Sequence, residues 1–538
     1  MNLHHPTKLI QADINEYGGE WGIPQITHLL KRTMFGASPE DIAYFQKKTL
    51  SETIEELLSP QTPPEPPLNF YNTNDYKDPQ GILLGETWVN AIYGDGTVNA
   101  KRRASYKYWW LMQMANQKRS IHEKMVLFWH NHFATETADV DDARFAYIHN
   151  TVLRKFALGN FKEFVKQITL DPAMLRYLNG RFNSKNAPDE NYGRELQELF
   201  TVGKGPNSKY TEDDVKAAAR VLTGIGINND KKVYNLNVTN HDTSDKKFSS
   251  FYNDTIIVGQ SSVGGMLTEL EDLINMIFSV DEVSKYICRK IYIFFIHYEI
   301  TDEIENNIIE PLSKIFKENN FEIKPVLTTI FKCQHFYDPN IFGSMIKSPL
   351  DFIIGTIREF GVNFPSPKTF LQEYYSLFGE LVRQGQNLQQ DIGDPPNVAG
   401  WPAYYQVPMF YEIWINSDTY PKRNQFTEML INIGILKGTQ KIQIDVVGFA
   451  KKLPVPNDPN QLINDSLQIL YKIPITKELI EQLKKDILLS GQSSDYYWTD
   501  LWDAMINNPI DFESYNMVVT KLRNLYSYLM ALPEFQLC

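Results

Sequence analysis

The sequence predicts a mainly α-helical protein, a large multi-helical body with a small β insertion around residues 228–258. Two observations carry this prediction. Apolar residues recur at helical spacing over long stretches, such as 102–117, 281–297 and 513–531, which is typical of helices with one buried face. The region 225–260 breaks the pattern, because VYNLNV alternates and TIIVG is β-branched, with turns rich in Asn and Asp between them.

Composition places the chain among ordinary globular proteins. Of its 538 residues, 43% are hydrophobic and 22% are charged, which excludes a disordered chain. The formal net charge of -12 argues against a nucleic-acid partner, because phosphate binding relies on a basic face. Cys288, Cys333 and Cys538 form no C-x-x-C pair and are odd in number, so no disulfide framework is predicted.

The N-terminal sequence bears on the compartment. MNLHHPTKLIQADINEYGG lacks the basic segment followed by an apolar segment that a signal peptide has. No window approaches the roughly 18 consecutive apolar residues of a membrane span. We therefore expect a cytoplasmic protein without a membrane span as the chain is written. The alternative is an exported or periplasmic protein whose N-terminus has been processed.

The helical pattern and its interruptions suggest four parts, which we expect to form one compact unit. Residues 1–225 form an N-terminal helical part that contains the motif WHNHF, and 226–260 form the β insertion. Residues 261–420 form a central helical part that ends in the loop PPNVAGWP, and 421–538 form a C-terminal helical part. No repeat recurs at a fixed period, which argues against a solenoid.

Several helix ends are marked by the residues that commonly cap helices. Ser38, followed by a proline and two acidic residues, predicts a helix start. Thr211 stands before three acidic residues and predicts another. A helix predicted over Tyr192 to Val202 should end at Gly203.

The first candidate site is the histidine pair of EKMVLFWHNHF, residues 123–133. On one continuous helix His130 and His132 would point about 200° apart, since each residue advances by about 100°. They could share a ligand if the helix ended at His130 and Asn131 adopted the left-handed conformation of a helix C-cap. The pair would then be a metal site or an acid–base pair. The alternative is two aromatic-like side chains packed at a helix end and hydrogen-bonded to backbone.

The second candidate site is the carboxylate pair Glu195 and Glu198 in RELQEL, residues 194–199. Residues three apart lie on nearly the same face of a helix, and paired carboxylates there can hold a metal ion or share a proton. The alternative is a solvated face with Arg194 as a surface partner. The sequence has no Glu-x-x-His motif, so a ferritin-like di-iron bundle is not supported.

The third candidate is His241-Asp242, which lies in the β insertion with Lys246 and Lys247 close behind. A polar loop with His-Asp can supply metal ligands or a base. It can equally be a turn in which Asp242 caps local backbone amides.

The loop around PPNVAGWP is the last feature. Trp401, Tyr404 and Tyr405 offer flat apolar faces that could stack on a sugar ring or line a pocket. The alternative, which we favour, is a structural plug that closes the helical body.

Taken together, these segments resemble the bacterial domain-of-unknown-function family numbered 1800, and the resemblance runs nearly end to end. The matching blocks are HLLKRTMFGASPEDI at 28–42, EKMVLFWHNHFAT at 123–135, LRKFALGNFKEF at 153–164, DPAMLRYLNG at 171–180, NYGRELQELFTVG at 191–203, YTEDDVKAAARVLTG at 210–224, KSPLDF at 347–352, PPNVAGWP at 395–402 and LPEFQ at 532–536.

The resemblance implies a large, mostly helical protein whose biochemistry is largely unassigned. Members are often encoded beside proteins of another family, numbered 1501, which resemble sulfatases and alkaline phosphatases. Many members have export signals, and the sequence as written departs from them, so both compartments named above stay open. The family's WHxHF, with Gly or Asn at x, supports the left-handed turn at Asn131. Its remaining motifs map onto Arg194-Glu195-Leu196, onto His241-Asp242 with Lys246 or Lys247 as the lysine, and onto Gly400-Trp401-Pro402.

We therefore expect a metal-dependent enzyme, hydrolytic or oxidative, that uses a divalent metal ion of unknown identity. The predicted ligands are His130, His132, His241 and Asp242, and the predicted base or further ligand is Glu195 or Glu198. The alternative is a non-catalytic scaffold or partner subunit of a phosphatase- or sulfatase-like protein, in which these side chains form a buried polar network. Imidazole nitrogens of both histidines in one solvent-reachable cleft, with a carboxylate within ligand reach, would favour the enzyme. Separate burial with backbone partners would rule it out.

Overall fold

The computed structural model describes residues 12–404, 411–508 and 510–538. In these ranges helices dominate and strands occur in short pairs, so the prediction of a mainly α-helical fold is confirmed. The α-helices in chain order are α1 Ile23–Met34, α2 Pro39–Phe45, α3 Leu50–Leu57, α4 Gly96–Asn116, α5 His122–His132, α6 Thr137–Val140, α7 Ala143–Lys155, α8 Phe161–Thr169, α9 Pro172–Tyr177, α10 Glu190–Glu195, α11 Glu212–Val221, α12 Val263–Phe278, α13 Asp281–Phe295, α14 Asp302–Ile304, α15 Glu310–Glu318, α16 Ile323–Lys332, α17 Pro349–Phe360, α18 Leu371–Asn387, α19 Thr419–Glu428, α20 Val446–Ala450, α21 Pro459–Leu470, α22 Lys477–Leu483, α23 Tyr496–Asn507 and α24 Phe512–Ala531.

Some helices change their winding along their length. Segments of π-helix follow directly on α10, α14, α19 and α22, and they are Leu196–Thr201, Glu305–Ile309, Met429–Ile433 and Lys484–Leu488. Short 3-10 helices are Gly180–Phe182, Val238–Asn240, Ser250–Tyr252, Gln334–Tyr337, Pro402–Tyr404, Tyr411–Trp414 and Pro533–Gln536. Single π-helical turns are often found at functional sites, which draws attention to the one that follows Glu195.

The strands form three antiparallel pairs within the described residues. The first two lie in the predicted insertion and confirm it: β1 Ile225–Asn228 with β2 Val233–Leu236, and β3 Lys246–Lys247 with β4 Ile256–Ile257. The third, β5 Ile435–Lys437 with β6 Gln440–Ile442, was not expected. Gly438 turns the chain between them with φ +57°, and strands of three residues are too short to show an alternating pattern.

The predicted helix ends agree with the observed caps. The Ser38 side chain accepts a hydrogen bond from the Asp41 amide at 3.1 Å. Thr211 accepts from the Asp214 amide at 3.3 Å, and the Asp214 carboxylate accepts from the Thr211 amide in return. Gly203 has φ +86° just after the π-helix, a conformation that favours glycine.

Helix α5, which carries WHNHF, is enclosed by the rest of the body. Every residue from Glu123 to His132 is buried, and the helix packs against α4, α7 and α1. A helix that is buried on all sides has no solvated face, so its polar side chains must be paired within the protein or left without a partner. The partners of Asn131 and of the two histidines therefore show how the protein accommodates these buried polar side chains.

A helix that crosses a membrane must be both long and apolar. In the described parts of the chain, no helix is both long enough and apolar enough to cross a membrane.

Candidate functional site

The C-terminal end of α5 differs from the prediction. The helix continues through Asn131 to His132, and the amide of Phe133 still donates to the carbonyl of Trp129 at 2.7 Å. Asn131 does not have a positive φ. The predicted helix end at His130 with a left-handed turn at Asn131 is therefore wrong, because the backbone keeps its helical hydrogen bonds and the Asn131 side chain has another use.

That use is to hold the loop that contains the Gly-Trp-Pro motif. Asn131 Oδ1 accepts a hydrogen bond of 2.8 Å from the amide of Trp401. The approach is so close that a Cβ added to Gly400, which has φ +93°, would lie 2.3 Å from Asn131 Oδ1. Trp401 is 1% exposed and so packs into the body, as the plug interpretation requires. Tyr405 lies outside the described residues.

His130 lies on this same side of α5 and is 1% exposed. Its ring is 4.9 Å from that of Trp110, 5.9 Å from that of Trp401 and 6.2 Å from that of His149, between centroids. Neither ring nitrogen has a hydrogen-bonding partner among the described protein groups. Burial, reinforced by His149 and Lys107, holds the pKa of His130 well below its usual range. His130 is therefore a neutral imidazole with a free lone pair.

His149, on α7, was not recognised from the sequence. Its Nδ1 lies 3.0 Å from Asp171 Oδ1, and its Nε2 lies 3.0 Å from the carbonyl oxygen of Phe133. The carbonyl can only accept, so Nε2 donates to it and ties α7 to the residue that follows α5. No spacing pattern marks His149, because its partners are brought to it only by helix packing.

His132 faces a different set of neighbours. Its Nε2 lies 3.0 Å from the carbonyl oxygen of Phe200 and therefore donates to it. Aromatic rings surround it, those of Trp129, Phe133 and Phe161 among them. Burial and the charge of Lys290 lower its pKa well below the usual range. The structure thus buries His130 and His132 separately, and of the two only His132 has a backbone partner among the described residues. The shared cleft expected for a metal enzyme built on this pair is not observed.

The contact with Phe200 joins α5 to the second candidate site, because Phe200 belongs to the π-helix after α10. Glu195 is the last residue of α10 and is half-buried. Burial, together with repulsion from Glu198, raises its pKa to about 7, although Arg194 and Lys204 oppose the shift. A carboxyl group in this range can both take and release a proton at neutral pH.

The charged residues next to Glu195 form ion pairs with residues other than Glu195. Glu198 forms an ion pair with Lys204 at 2.6 Å. Arg194 pairs with Glu212 at 2.6 Å and with Glu190 at 3.2 Å, which agrees with its interpretation as a surface partner. In the described part of the chain, the cations act on Glu195 through space rather than by a hydrogen bond.

Two tyrosines and a lysine complete the surroundings of this segment. Burial and the charge of Glu198 raise the pKa of Tyr210 to about 12. Tyr286 donates its hydroxyl to the carbonyl of Leu199 at 2.9 Å. Burial lowers the pKa of Lys290 to about 8. Lys290 Nζ lies 5.3 Å from the centroid of the Tyr286 ring, so this weakly basic amine borders the π-helix through Tyr286.

The third candidate is a buried network rather than an exposed loop. His241 is 0% exposed, with Nδ1 2.8 Å from the carbonyl oxygen of Thr223 and Nε2 2.9 Å from Glu269 Oε1. Lys246 lies 2.5 Å from Glu269 Oε2, and the Gln260 amide donates to Glu269 Oε1 at 2.6 Å. Both ring nitrogens of His241 thus face acceptors, which leaves no lone pair for a metal ion unless one bond is given up.

Asp242 is held in the same region by other partners. Its carboxylate accepts from Arg220 Nε at 2.7 Å and from the Ser244 amide at 2.9 Å. Burial acts in the opposite direction, but these hydrogen bonds and the Arg220 charge bring its pKa far below the usual range. Lys246 is 0% exposed and donates to the Asp242 carbonyl, whereas Lys247 is exposed, so Lys246 is the lysine of this network.

Side chains able to bind a metal ion are scattered over the described ranges of the chain. There, no group of three or more His, Cys, Asp and Glu side chains is placed to hold a metal ion. The ligand roles predicted for His130, His132, His241 and Asp242 stay predictions.

An open cleft of about 670 Å³ between α4 and α18 was not predicted. Lys107 lies in it with Nζ 2.7 Å from Asp391 Oδ1 and 2.5 Å from Asp394 Oδ2. Asp394 Oδ1 also accepts from the amide of Thr137 at 2.5 Å. Lys107 sits in the middle of a long helix and nearly three hundred residues from its partners, so no local signal could have found this cluster.

Comparison with known proteins gives one match. No curated protein and no solved structure matches the chain. A family model, described as "Protein of unknown function (DUF1800)", matches residues 28–537, a range that contains every site described above. The chain therefore belongs to the DUF1800 family.

Proposed function

We propose that this protein is a hydrolytic enzyme in which Glu195 acts as the general base. The observation that carries the proposal is the state of that carboxyl: half-buried, beside a second carboxylate, at the junction of an α-helix and a π-helix, with a pKa of about 7. A base is most effective when its pKa lies near the working pH. Perturbed carboxyl groups of this kind are common in active sites.

The other carboxylates of the candidate sites have cationic partners, and this difference supports Glu195 as the base. Asp391 and Asp394 share the ammonium of Lys107, and Asp242 is held by Arg220, so each of them is already bonded to a cation, whereas Glu195, among the described residues, is not. Glu198 is paired with Lys204 and supplies the negative charge that makes Glu195 hold its proton more tightly. In the reaction, ionised Glu195 would take a proton from water as that water attacks the substrate.

The test uses chromogenic p-nitrophenyl esters, phosphates, sulfates and glycosides with wild-type protein and Glu195→Gln. We expect one class to be hydrolysed, with a rate that rises with pH to a plateau above about pH 7, because the base must be ionised. Glu195→Gln should lower kcat by a factor of roughly 10² to 10⁴. Glu318→Gln, on the exposed surface of α15, is the matched control and should keep wild-type kcat. Equal kcat in wild type and Glu195→Gln would contradict the proposal.

A divalent metal ion is a further part of the proposal. Glu195 and Glu198 supply two carboxylates, and hard cations such as Mg²⁺ are commonly held by one or two carboxylates with water as the other ligands. Calorimetric titration with Mg²⁺, Mn²⁺ and Zn²⁺ should show binding to wild type that is lost in Glu195→Gln/Glu198→Gln. Metal analysis of wild type and of His130→Ala/His132→Ala tests the predicted histidine ligands: unchanged, substoichiometric metal in both would end that role.

The second candidate function is a non-catalytic scaffold or partner subunit of a phosphatase- or sulfatase-like protein of the family numbered 1501. It is supported by the way in which His132, His241 and Asp242 are engaged with Phe200, Glu269 and Arg220, as in a network that fixes packing. Co-expression with such a partner, followed by size-exclusion chromatography, should give a stable complex. If the two proteins elute separately and Glu195→Gln loses activity, the scaffold role is contradicted.

A further inference from the structure

An apolar cavity of about 410 Å³ lies apart from all the sites described so far. The proline-rich segment 60–64 forms one side of it, and Trp109 of α4 and Tyr147 of α7 form another. Its size falls in the range of cavities that bind small organic molecules. Nothing in the proposed reaction uses it.

The walls of this cavity present mainly carbon atoms. The indole N–H of Trp109 donates to the carbonyl of Glu65 at 2.7 Å, so the indole can offer the cavity only apolar ring surface. Its ring lies 5.6 Å from that of Tyr147 in an edge-to-face arrangement. Leu58 and Leu158 add aliphatic surface. An apolar ligand group would therefore replace water against these walls at a gain in free energy.

The charged side chains that line the cavity are all basic. Among the described residues that line it are Arg154, Lys155 and Lys324, with no Asp or Glu. Arg154 is committed to Glu123, with Nη2 2.9 Å from Oε2. Lys155 and Lys324 are exposed. In the described parts of the chain neither takes part in an ion pair, so both ammonium groups are free to meet an anion.

We propose that this cavity binds a small amphiphilic carboxylate, with its apolar part against the Trp109 and Tyr147 rings and its carboxylate at Lys155 and Lys324. The apolar walls select a hydrocarbon or aromatic group, and the two lysines without ion-pair partners select a single negative charge. A neutral analogue would keep the first interaction and lose the second. A cationic analogue would be repelled.

A charge series of equal chain length tests the proposal by calorimetry: octanoate, octanamide and octylammonium, with 4-phenylbutyrate as the aromatic carboxylate. We expect saturable binding of octanoate or phenylbutyrate at least ten-fold tighter than of octanamide, and none of octylammonium. Tighter binding of octanoate would indicate that the cavity takes an aliphatic group, and tighter binding of 4-phenylbutyrate would indicate an aromatic one. Equal affinity for octanoate and octanamide, or no saturable binding of either carboxylate, would overturn the proposal.

Variants locate the binding. Lys155→Ala/Lys324→Ala changes two exposed side chains and should weaken carboxylate binding at least ten-fold while octanamide binding stays the same. Lys185→Ala/Lys231→Ala removes the same charge from two other exposed lysines and should leave both affinities unchanged. Thr151→Trp, which places a large ring in the cavity, should abolish binding of every probe. Wild-type carboxylate affinity in the first variant would overturn the assignment.

Discussion

The side-chain oxygen of Asn131 accepts a hydrogen bond of 2.8 Å from the backbone amide of Trp401, across 270 residues of sequence. This bond joins the end of α5 to the loop that follows α18. One residue further, His132 joins the same helix end to the π-helix through the carbonyl of Phe200. The motif WHNHF is therefore a junction at which three separate segments of the chain meet.

Gly400→Ala tests how closely the two segments approach. The new Cβ would lie 2.3 Å from Asn131 Oδ1 and 2.4 Å from the Asn131 carbonyl oxygen, at a φ of +93° that side chains rarely adopt. We expect unfolding free energy to fall by roughly 2–4 kcal/mol, measured by urea denaturation. Gly205→Ala is the control, since nothing lies within 4 Å of its Cβ position. Equal stability of both variants would contradict this account of the junction.

His130→Phe and His132→Phe should have opposite consequences. The His130 nitrogens have no partner among the described groups, so an apolar ring of similar shape should be neutral or stabilising at pH 7. His132→Phe leaves the Phe200 carbonyl without its donor and should cost about 1–3 kcal/mol. Thermal unfolding of each variant, compared with wild type, measures these two changes in stability. A large loss of stability in His130→Phe would mean that its imidazole is bound by something other than these protein groups.

The same His130→Phe variant should change how stability depends on pH. The unfolded imidazole takes up a proton below its ordinary pKa of 6.5, whereas the buried one stays neutral because its pKa is far lower. The unfolded state thus binds the extra proton, and wild-type stability falls as pH drops below 6.5. Between pH 6.5 and pH 5.5, denaturation should show that the variant loses roughly 1 kcal/mol less than wild type. Parallel curves would refute a buried neutral His130.

Glu195→Gln should show the reverse pH dependence. The unfolded carboxyl ionises near 4.5 and the folded one near 7, so between these values the folded state holds a proton that the unfolded state has lost. Wild-type stability therefore falls as pH rises from 4.5 to 7. Glu195→Gln should match wild type near pH 4.5 and exceed it by up to roughly 2 kcal/mol above pH 7, a value reduced for solvent screening. If the difference does not grow with pH, the pKa of Glu195 is not raised.

Lys246→Met tests the buried network of the β insertion. Lys246 and Glu269 are both 0% exposed and lie 2.5 Å apart, so removing the ammonium leaves a buried carboxylate with one charged partner fewer. We expect a loss of roughly 3 kcal/mol. Lys247→Met, one residue along and exposed, should change stability by less than about 0.5 kcal/mol. Similar losses of unfolding free energy in both variants would show that the buried ion pair of Lys246 does not contribute to stability.

Local signals in the sequence were enough for the elements whose causes are local. The caps at Ser38 and Thr211 and the end at Gly203 were predicted, because each depends on residues within one turn. The pair β5–β6 was missed, since three residues give no period to recognise. The turn at Asn131 was predicted from the conformational tolerance of asparagine. The residue is helical instead, since the helical hydrogen bonds continue past it to Phe133, and its side chain bonds Trp401.

The sequence by itself determined the helical class, the β insertion, the family and the carboxylate pair at Glu195 and Glu198, because these depend on periodicity, residue type and short spacing. Only the tertiary structure decided what each polar side chain contacts. It separated His130 from His132, since two residues apart on a continuous buried helix must face different neighbours. It also raised the pKa of Glu195, because the burial of its carboxyl, the largest cause of the shift, is a property of packing that no spacing along the chain specifies.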